Sequence, residues 1–154
     1  MRKITTLIML VLMIICSCTT AKIVDKKDPP RETHGIAYIG IVSTLKLVED
    51  EQRKNFIFTL KNQNERPEKL EFSSSLEYDY KIMNQEGKVL KQRSKNVVSV
   101  PMLKTITLKQ AEELVYFEDY DNIVEGLPKS SYTIEFISTA RGEKINAVLD
   151  FEIK

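Results

Sequence analysis

Apolar and polar residues alternate with a period of two along most of the chain after residue 35, the pattern of strands that bury one face. In Asn55–Asn62 the side chains of Phe56, Phe58 and Leu60 share one face, and those of Ile57, Thr59 and Lys61 share the other. Leu70 and Phe72 repeat the pattern against Lys69 and Glu71, and Tyr78, Tyr80 and Ile82 repeat it against Asp79, Lys81 and Met83. Consecutive half-apolar strands predict antiparallel sheets with one packed and one wet face. The breaks agree. Asn62–Pro67 is a polar turn whose proline cannot continue a ladder. Asn84–Gly87 fits a short hairpin loop in which Gly87 takes positive φ.

The same pattern flanks this stretch. Tyr38, Ile39, Ile41, Val42, Leu45, Leu47 and Val48 predict one bent strand or two short ones, with Gly40 at the bend, and Asp50–Arg53 is the next turn. Val97, Val98, Val100 and Met102 predict a strand near a sheet edge, because Pro101 removes a ladder donor. Thr107–Phe117 is ambiguous: Leu108, Ala111, Leu114 and Val115 have helical spacing, whereas Leu-Val-Tyr-Phe favours strand. Asn122–Ser131 reads as a connector. Tyr132, Ile134 and Phe136, then Ala147, Leu149, Phe151 and Ile153, form two last strands around an Ala140–Glu143 hairpin loop. The expectation is an all-β antiparallel sandwich of about seven to nine strands. A chain of this size can bury one core without staples.

The first residues follow another pattern. Arg2 and Lys3 precede an apolar run from Ile4 to Ile15, short of the roughly 20 residues of a bilayer span but suited to a secretory leader. The run ends in Ile15-Cys16-Ser17-Cys18, which resembles a bacterial lipobox with Cys18 as the lipid acceptor. The alternatives are an ordinary signal peptide or an uncleaved anchor. The lipobox implies a leader over residues 1–17, lipid on Cys18, a tether over residues 18–34 and a folded domain over residues 35–154. It also implies a bacterial envelope protein held to a membrane on the non-cytoplasmic side, since paired acyl chains suffice for stable anchoring. In the tether, Asp25–Glu32 has no apolar face, and Pro29-Pro30 favours extended chain.

Composition narrows the function classes. The chain has 23 basic and 22 acidic side chains, and loss of Arg2 and Lys3 with the leader puts the acidic side ahead by one. That balance gives no basis for nucleic-acid binding. With Cys18 lipidated no other cysteine remains for a disulfide or metal site. His34, the single histidine, lies at the end of the tether without a partner to orient it. Ser73-Ser74-Ser75 lacks a base placed to activate it and reads as a turn. Glu118, Asp119 and Asp121 do not make an EF-hand loop, because Ile123, Val124 and Ser130 occupy positions that need an oxygen ligand, a glycine and a glutamate. Tyr78, Tyr80, Tyr116 and Tyr132 alternate with charged residues and read as packing rather than as a platform for a sugar. No catalytic residue, metal or cofactor is expected.

A strand ending Leu60-x-Asn62, a turn with Pro67, Leu70-x-Phe72, Ser75 followed by Tyr78-Asp79-Tyr80-x-Ile82, and Gly87-Lys88-Val89 together resemble the bacterial intracellular proteinase inhibitor, or BsuPI, domain family. The resemblance implies an immunoglobulin-like β-sandwich and, over Thr107–Phe117, a turn followed by a strand from Leu114 to Asp119. Two positions depart from the family: Leu90 stands where a tryptophan is usual, and Gln110-Ala111-Glu112 replaces a Pro-Gly-Glu turn. The implied activity is inhibition of a serine, subtilisin-like proteinase, here an envelope or secreted one. Such inhibitors offer a rigid exposed loop as an unproductive substrate. The candidate loop is Arg93–Lys104, with Arg93, Lys95, Val97, Val98, Met102 and Leu103 as the residues available to specificity pockets; its alternative is a plain sandwich crossover. The alternative function is a non-catalytic envelope lipoprotein whose immunoglobulin-like domain binds a protein or surface component. An inhibitor should present an ordered protruding loop, and a generic binder an exposed apolar face or free sheet edge. Neither reading names an oligomeric state.

Overall fold

The computed structural model describes residues 31–34 by their backbone, and residues 40–142 and 144–154 in full. The leader, Cys18, the tether as far as residue 30, Tyr38, Ile39 and Glu143 of the last hairpin loop lie outside the described residues.

Period-two alternation becomes strand along most of the described residues. The strands are β1 (Arg31–His34), β2 (Ile41–Glu49), β3 (Lys54–Asn62), β4 (Glu68–Ser74), β5 (Tyr78–Met83), β6 (Val89–Gln92), β7 (Pro101–Leu108), β8 (Glu113–Asp119), β9 (Ser131–Ser138) and β10 (Asn146–Glu152). One sheet has the order β1-β2-β3-β8, a second has β10-β9-β5-β6, and β4 and β7 form a two-stranded ribbon. Every pairing is antiparallel. The fold is an all-β sandwich with the immunoglobulin arrangement. It also carries a tyrosine corner at the start of β9, where Tyr132 Oη donates to Pro128 O at 2.7 Å.

The inward faces meet where the alternation predicts. Phe56, Phe58 and Leu60 of β3 are fully buried, as are Ile82, Ile134 and Phe136 of the facing sheet. Phe56 meets Phe151 edge-on with ring centroids 5.3 Å apart, and Phe58 meets Phe136 at 5.5 Å, arrangements that suit the ring quadrupoles. Leu70, Phe72 and Leu108 bring the β4–β7 ribbon into the same core. Asn62 forms the corner between β3 and β4: its Nδ2 donates to Arg66 O and Leu108 O, and its Oδ1 accepts from Asn64 N. A polar side chain is tolerated in this core because its hydrogen-bonding capacity is used.

Four elements differ from the sequence reading. Ser73 and Ser74, read as part of a turn, end β4. Val97–Val100 is not a strand; the strand runs from Pro101 to Leu108, with Pro101 as its first residue, where no ladder donor is needed. Arg31–His34, read as the end of the tether, pairs with Leu47–Thr44 of β2; edge pairing uses main-chain groups and does not require an apolar face. The expected connector after residue 119 begins with a short helix, α1 (Tyr120–Val124), capped by Asp119. Five residues are too few to show a helical period. The expected turn and strand after Thr107 are present, and the turn holds Ala111 at φ 64°. Among the described residues, no helix is long and apolar enough to cross a membrane.

Candidate functional site

The segment from Arg93 to Lys104 crosses from β6 to β7 and is fastened at each end. At its start a 3₁₀ turn over Arg93–Lys95 forms because Asn96 N and Val97 N both donate to Arg93 O, at 2.9 and 3.1 Å. Beneath it lies Asp79, on the face of β5 that alternation assigns to solvent, yet it is buried. Its carboxylate accepts from Gln92 Nε2 at 2.8 Å and from Ser94 N and Tyr80 N at 2.9 Å. Burial by itself pushes the Asp79 carboxyl up, but the hydrogen bonds from Gln92 and Ser94 outweigh it and hold the group below the usual aspartate range.

Two ion pairs then clasp the ends. Arg93 Nε donates to Glu118 Oε1 at 2.9 Å, its Nη1 donates to Tyr78 O at 3.2 Å, and its guanidinium lies 4.3 Å above the Tyr78 ring. Tyr78 Oη donates to the same Glu118 oxygen at 2.6 Å. At the other end Lys104 Nζ donates to Glu77 Oε1, and Tyr116 Oη donates to Glu77 Oε2 at 2.9 Å. The two arrangements mirror one another: a cation from the loop, a glutamate, and a tyrosine. The tyrosines touch, with ring centroids 4.4 Å apart. Burial raises both phenols, and the adjacent carboxylates of Glu118 and Glu77 raise them further, so each stays a neutral donor.

Between the clasps, Ser75 holds one more point: Ser75 N donates to Val100 O at 3.0 Å and Val100 N donates to Ser75 Oγ at 3.1 Å. From Val97 O to Ser99 O the main chain has no hydrogen-bond partner among the described residues. The free span carries Val98, which is 90% exposed. The result is a short unpaired strip of chain held taut between fixed points.

The residues expected to face a partner separate into four groups. Arg93 turns its guanidinium inward, onto Glu118 and Tyr78. Lys95 is exposed on the 3₁₀ turn. Val97 and Val98 begin the free span, whereas Met102 and Leu103 are exposed on β7. The fastenings Glu77, Asp79, Lys104 and Glu118 did not stand out in the sequence. One signal was present: alternation puts Glu118 on the face of Leu114 and Tyr116, where a carboxylate needs a partner. The acidic group around it disperses, since Glu118 binds Arg93 while Asp119 caps α1 by accepting from Asn122 N at 3.0 Å. Tyr78, Tyr80, Tyr116 and Tyr132 are packing residues, as the alternation predicts.

The model of the BsuPI family, described as intracellular proteinase inhibitor, matches residues 42–143. That span contains the whole of the clasped loop and every residue that fastens it. No curated protein matches the chain.

Proposed function

The chain belongs to the BsuPI family of intracellular proteinase inhibitors, and on that ground we propose that it is a non-catalytic inhibitor of a serine, subtilisin-like proteinase, anchored by lipid on Cys18 and acting outside the cytoplasm. The clasped loop is the observation that carries the inhibitor reading. A loop inhibitor gains affinity by losing little conformational freedom on binding, so its strength comes from preorganisation more than from buried area. Arg93 and Lys104 fix the ends, Ser75 fixes an interior point, and the intervening main-chain groups stay free to pair with an enzyme cleft.

The lipid anchor rests on the leader and on Ile15-Cys16-Ser17-Cys18. The family's name contains the word intracellular, whereas a secretory leader argues for export, so the target is an envelope or secreted enzyme. The sheet order is compatible with both halves of this reading. β1, where the N-terminal segment joins, and β8, which carries Glu118, are opposite edges of one sheet. Three strand spacings separate them, about 14 Å.

The test is titration of the full chain, in mild detergent, against a panel of serine proteinases beginning with a subtilisin. Stoichiometric inhibition is expected, with its loss when Val97–Ser99 is replaced by Gly-Ser-Gly. The Cys18→Ser chain should leave the membrane fraction and no longer incorporate labelled palmitate. No inhibition of any serine proteinase would sink the inhibitor reading, and unchanged fractionation would sink the anchor.

The second reading, an envelope lipoprotein that binds a protein or surface component, is favoured by Phe117. This ring is 64% exposed on the outer face of β8, opposite Ile57 of β3. Binding that disappears in Phe117→Lys and persists in the Gly-Ser-Gly loop variant would support it.

A further inference from the structure

We propose that Val98 is the residue that this loop inserts into the primary specificity pocket of its target, and that the target is a serine proteinase with a small apolar pocket. The inference rests on the inhibitor reading and names the residue and the pocket chemistry at that same loop.

A proteinase cleft takes a segment as an extended strip, pairing with its main chain and reading one side chain in a pocket that sets specificity. The segment must therefore meet three conditions. Its side chain must project, its main chain must be unpaired on both sides, and its ends must be fixed. Val98 meets all three. Among the described residues it is the most exposed large apolar one, at 90%, it sits inside the unpaired span, and the fastenings at Arg93 and Val100 bracket it. Its branched side chain is stiff about χ1, so little rotamer freedom remains to be lost on binding.

The competing residues each fail one condition. Val97 is only 41% exposed and its N–H is bonded to Arg93 O, and Met102 is only 42% exposed and belongs to β7. The Arg93 guanidinium is occupied by Glu118 and Tyr78. Lys95 projects, but from a 3₁₀ turn whose following N–H groups are bonded to Arg93 O, and a helical turn cannot lie along an extended cleft. Leu103 is 78% exposed, but it belongs to β7, which the ribbon with β4 holds on one side. Lys104, on β7, is held by Glu77, so with all three basic residues of the segment removed from contention, a pocket built for lysine or arginine has nothing to receive. A small apolar pocket matches a valine.

The bond at risk is then Val98–Ser99. Slow hydrolysis by the bound enzyme adds one water across it, leaving a carboxylate on Val98 and an amino group on Ser99. The cut ends remain close, because Arg93–Glu118 and Lys104–Glu77 fasten the chain on either side.

The experiment titrates the full chain, with Val98→Arg and Leu103→Arg, against a subtilisin whose primary pocket is small and apolar and a trypsin-like enzyme. The products of long incubation are sequenced from their new N-termini. Both substitutions are at exposed positions and should fold. The expected result is an inhibition constant for the subtilisin that rises at least about 30-fold in Val98→Arg, and new inhibition of the trypsin-like enzyme. Leu103→Arg should change either constant less than about threefold, and the new N-terminus should be Ser99. If the native chain inhibits the subtilisin but Val98→Arg is unchanged, or cleavage falls at another bond, the assignment of Val98 is overturned while the inhibitor reading stands. Inhibition restricted to the trypsin-like enzyme overturns the pocket chemistry. A native chain that inhibits no serine proteinase overturns both.

Discussion

Removing the charge of Glu118 tests whether the loop is preorganised by its clasp. In Glu118→Gln the shape is kept and an oxygen can still accept from Arg93 and Tyr78, but the carboxylate charge that strengthens both bonds is gone. Both partners of the ion pair are only 20% exposed, so solvent screens the pair incompletely. Hydrogen bonds to charged groups contribute about 1.5–3 kcal/mol, and the charged form is roughly twice as strong as the neutral one. Losing half of that strength, with the guanidinium left uncompensated, should cost about 1.5 kcal/mol. With an m-value of about 2 kcal/mol per molar, the urea midpoint should fall by about 0.8 M. An internal control exists in Lys61–Glu113. That pair is shorter, at 2.7 Å, yet its side chains are 41% and 44% exposed, and an exposed pair of this kind contributes under about 1 kcal/mol. Glu113→Gln should therefore shift the midpoint much less than Glu118→Gln. Pairing Glu118→Gln with Arg93→Met should reveal a coupling near 1 kcal/mol. Equal shifts for the two glutamates, with no coupling to Arg93, would refute the clasp as an anchor and with it the preorganisation argument.

Two further outcomes follow from the same geometry. Ala111 sits at φ 64°, a region that disfavours any side chain by about 1–2 kcal/mol; Ala111→Gly should raise stability by about 0.5–1 kcal/mol after the greater freedom of unfolded glycine is counted, and a loss of stability in urea melts would show that the turn is unstrained. Asp79 titrates below its unfolded value near 3.9, so the unfolded chain binds more protons between those two values. Its stabilisation is complete above that window and is lost as pH falls through it. Urea midpoints followed from pH 5 downward should fall less steeply in Asp79→Asn than in the native chain; parallel curves would mean that Asp79 is not held by Gln92 and Ser94.

Much of this molecule is legible in a period of two. The inward faces of β3, β4, β9 and β10 were readable because each buried side chain lies two residues from the next, and the turns at Asn84–Gly87 and Asn62–Pro67 because glycine and proline restrict the backbone locally. The lipobox-like Ile15-Cys16-Ser17-Cys18 and the family resemblance are likewise local patterns. The location of the candidate loop was readable, but its boundaries were not: Val97–Val100 has the composition of a strand, yet it pairs with no strand because Ser75 holds Val100 and the Arg93 turn holds Val97. Asp79 illustrates the same limit, since alternation assigns it to solvent and only the approach of Gln92 and Ser94 buries it.

What the sequence by itself determined is therefore the set of strands, the face that each buries and the segment offered as a loop, since these depend on neighbours one to four residues away. What only the tertiary structure decided is which side chains hold that loop and which ones it leaves exposed. Arg93 and Glu118 are 25 residues apart, and Glu77 and Lys104 are 27 apart; no local pattern pairs them. They meet because the sandwich sets the Arg93 turn against β8 and the start of β5 against β7, where burial makes an unpaired charge costly and a matched one stabilising. That contact turns Arg93 inward, while Val98 stays 90% exposed.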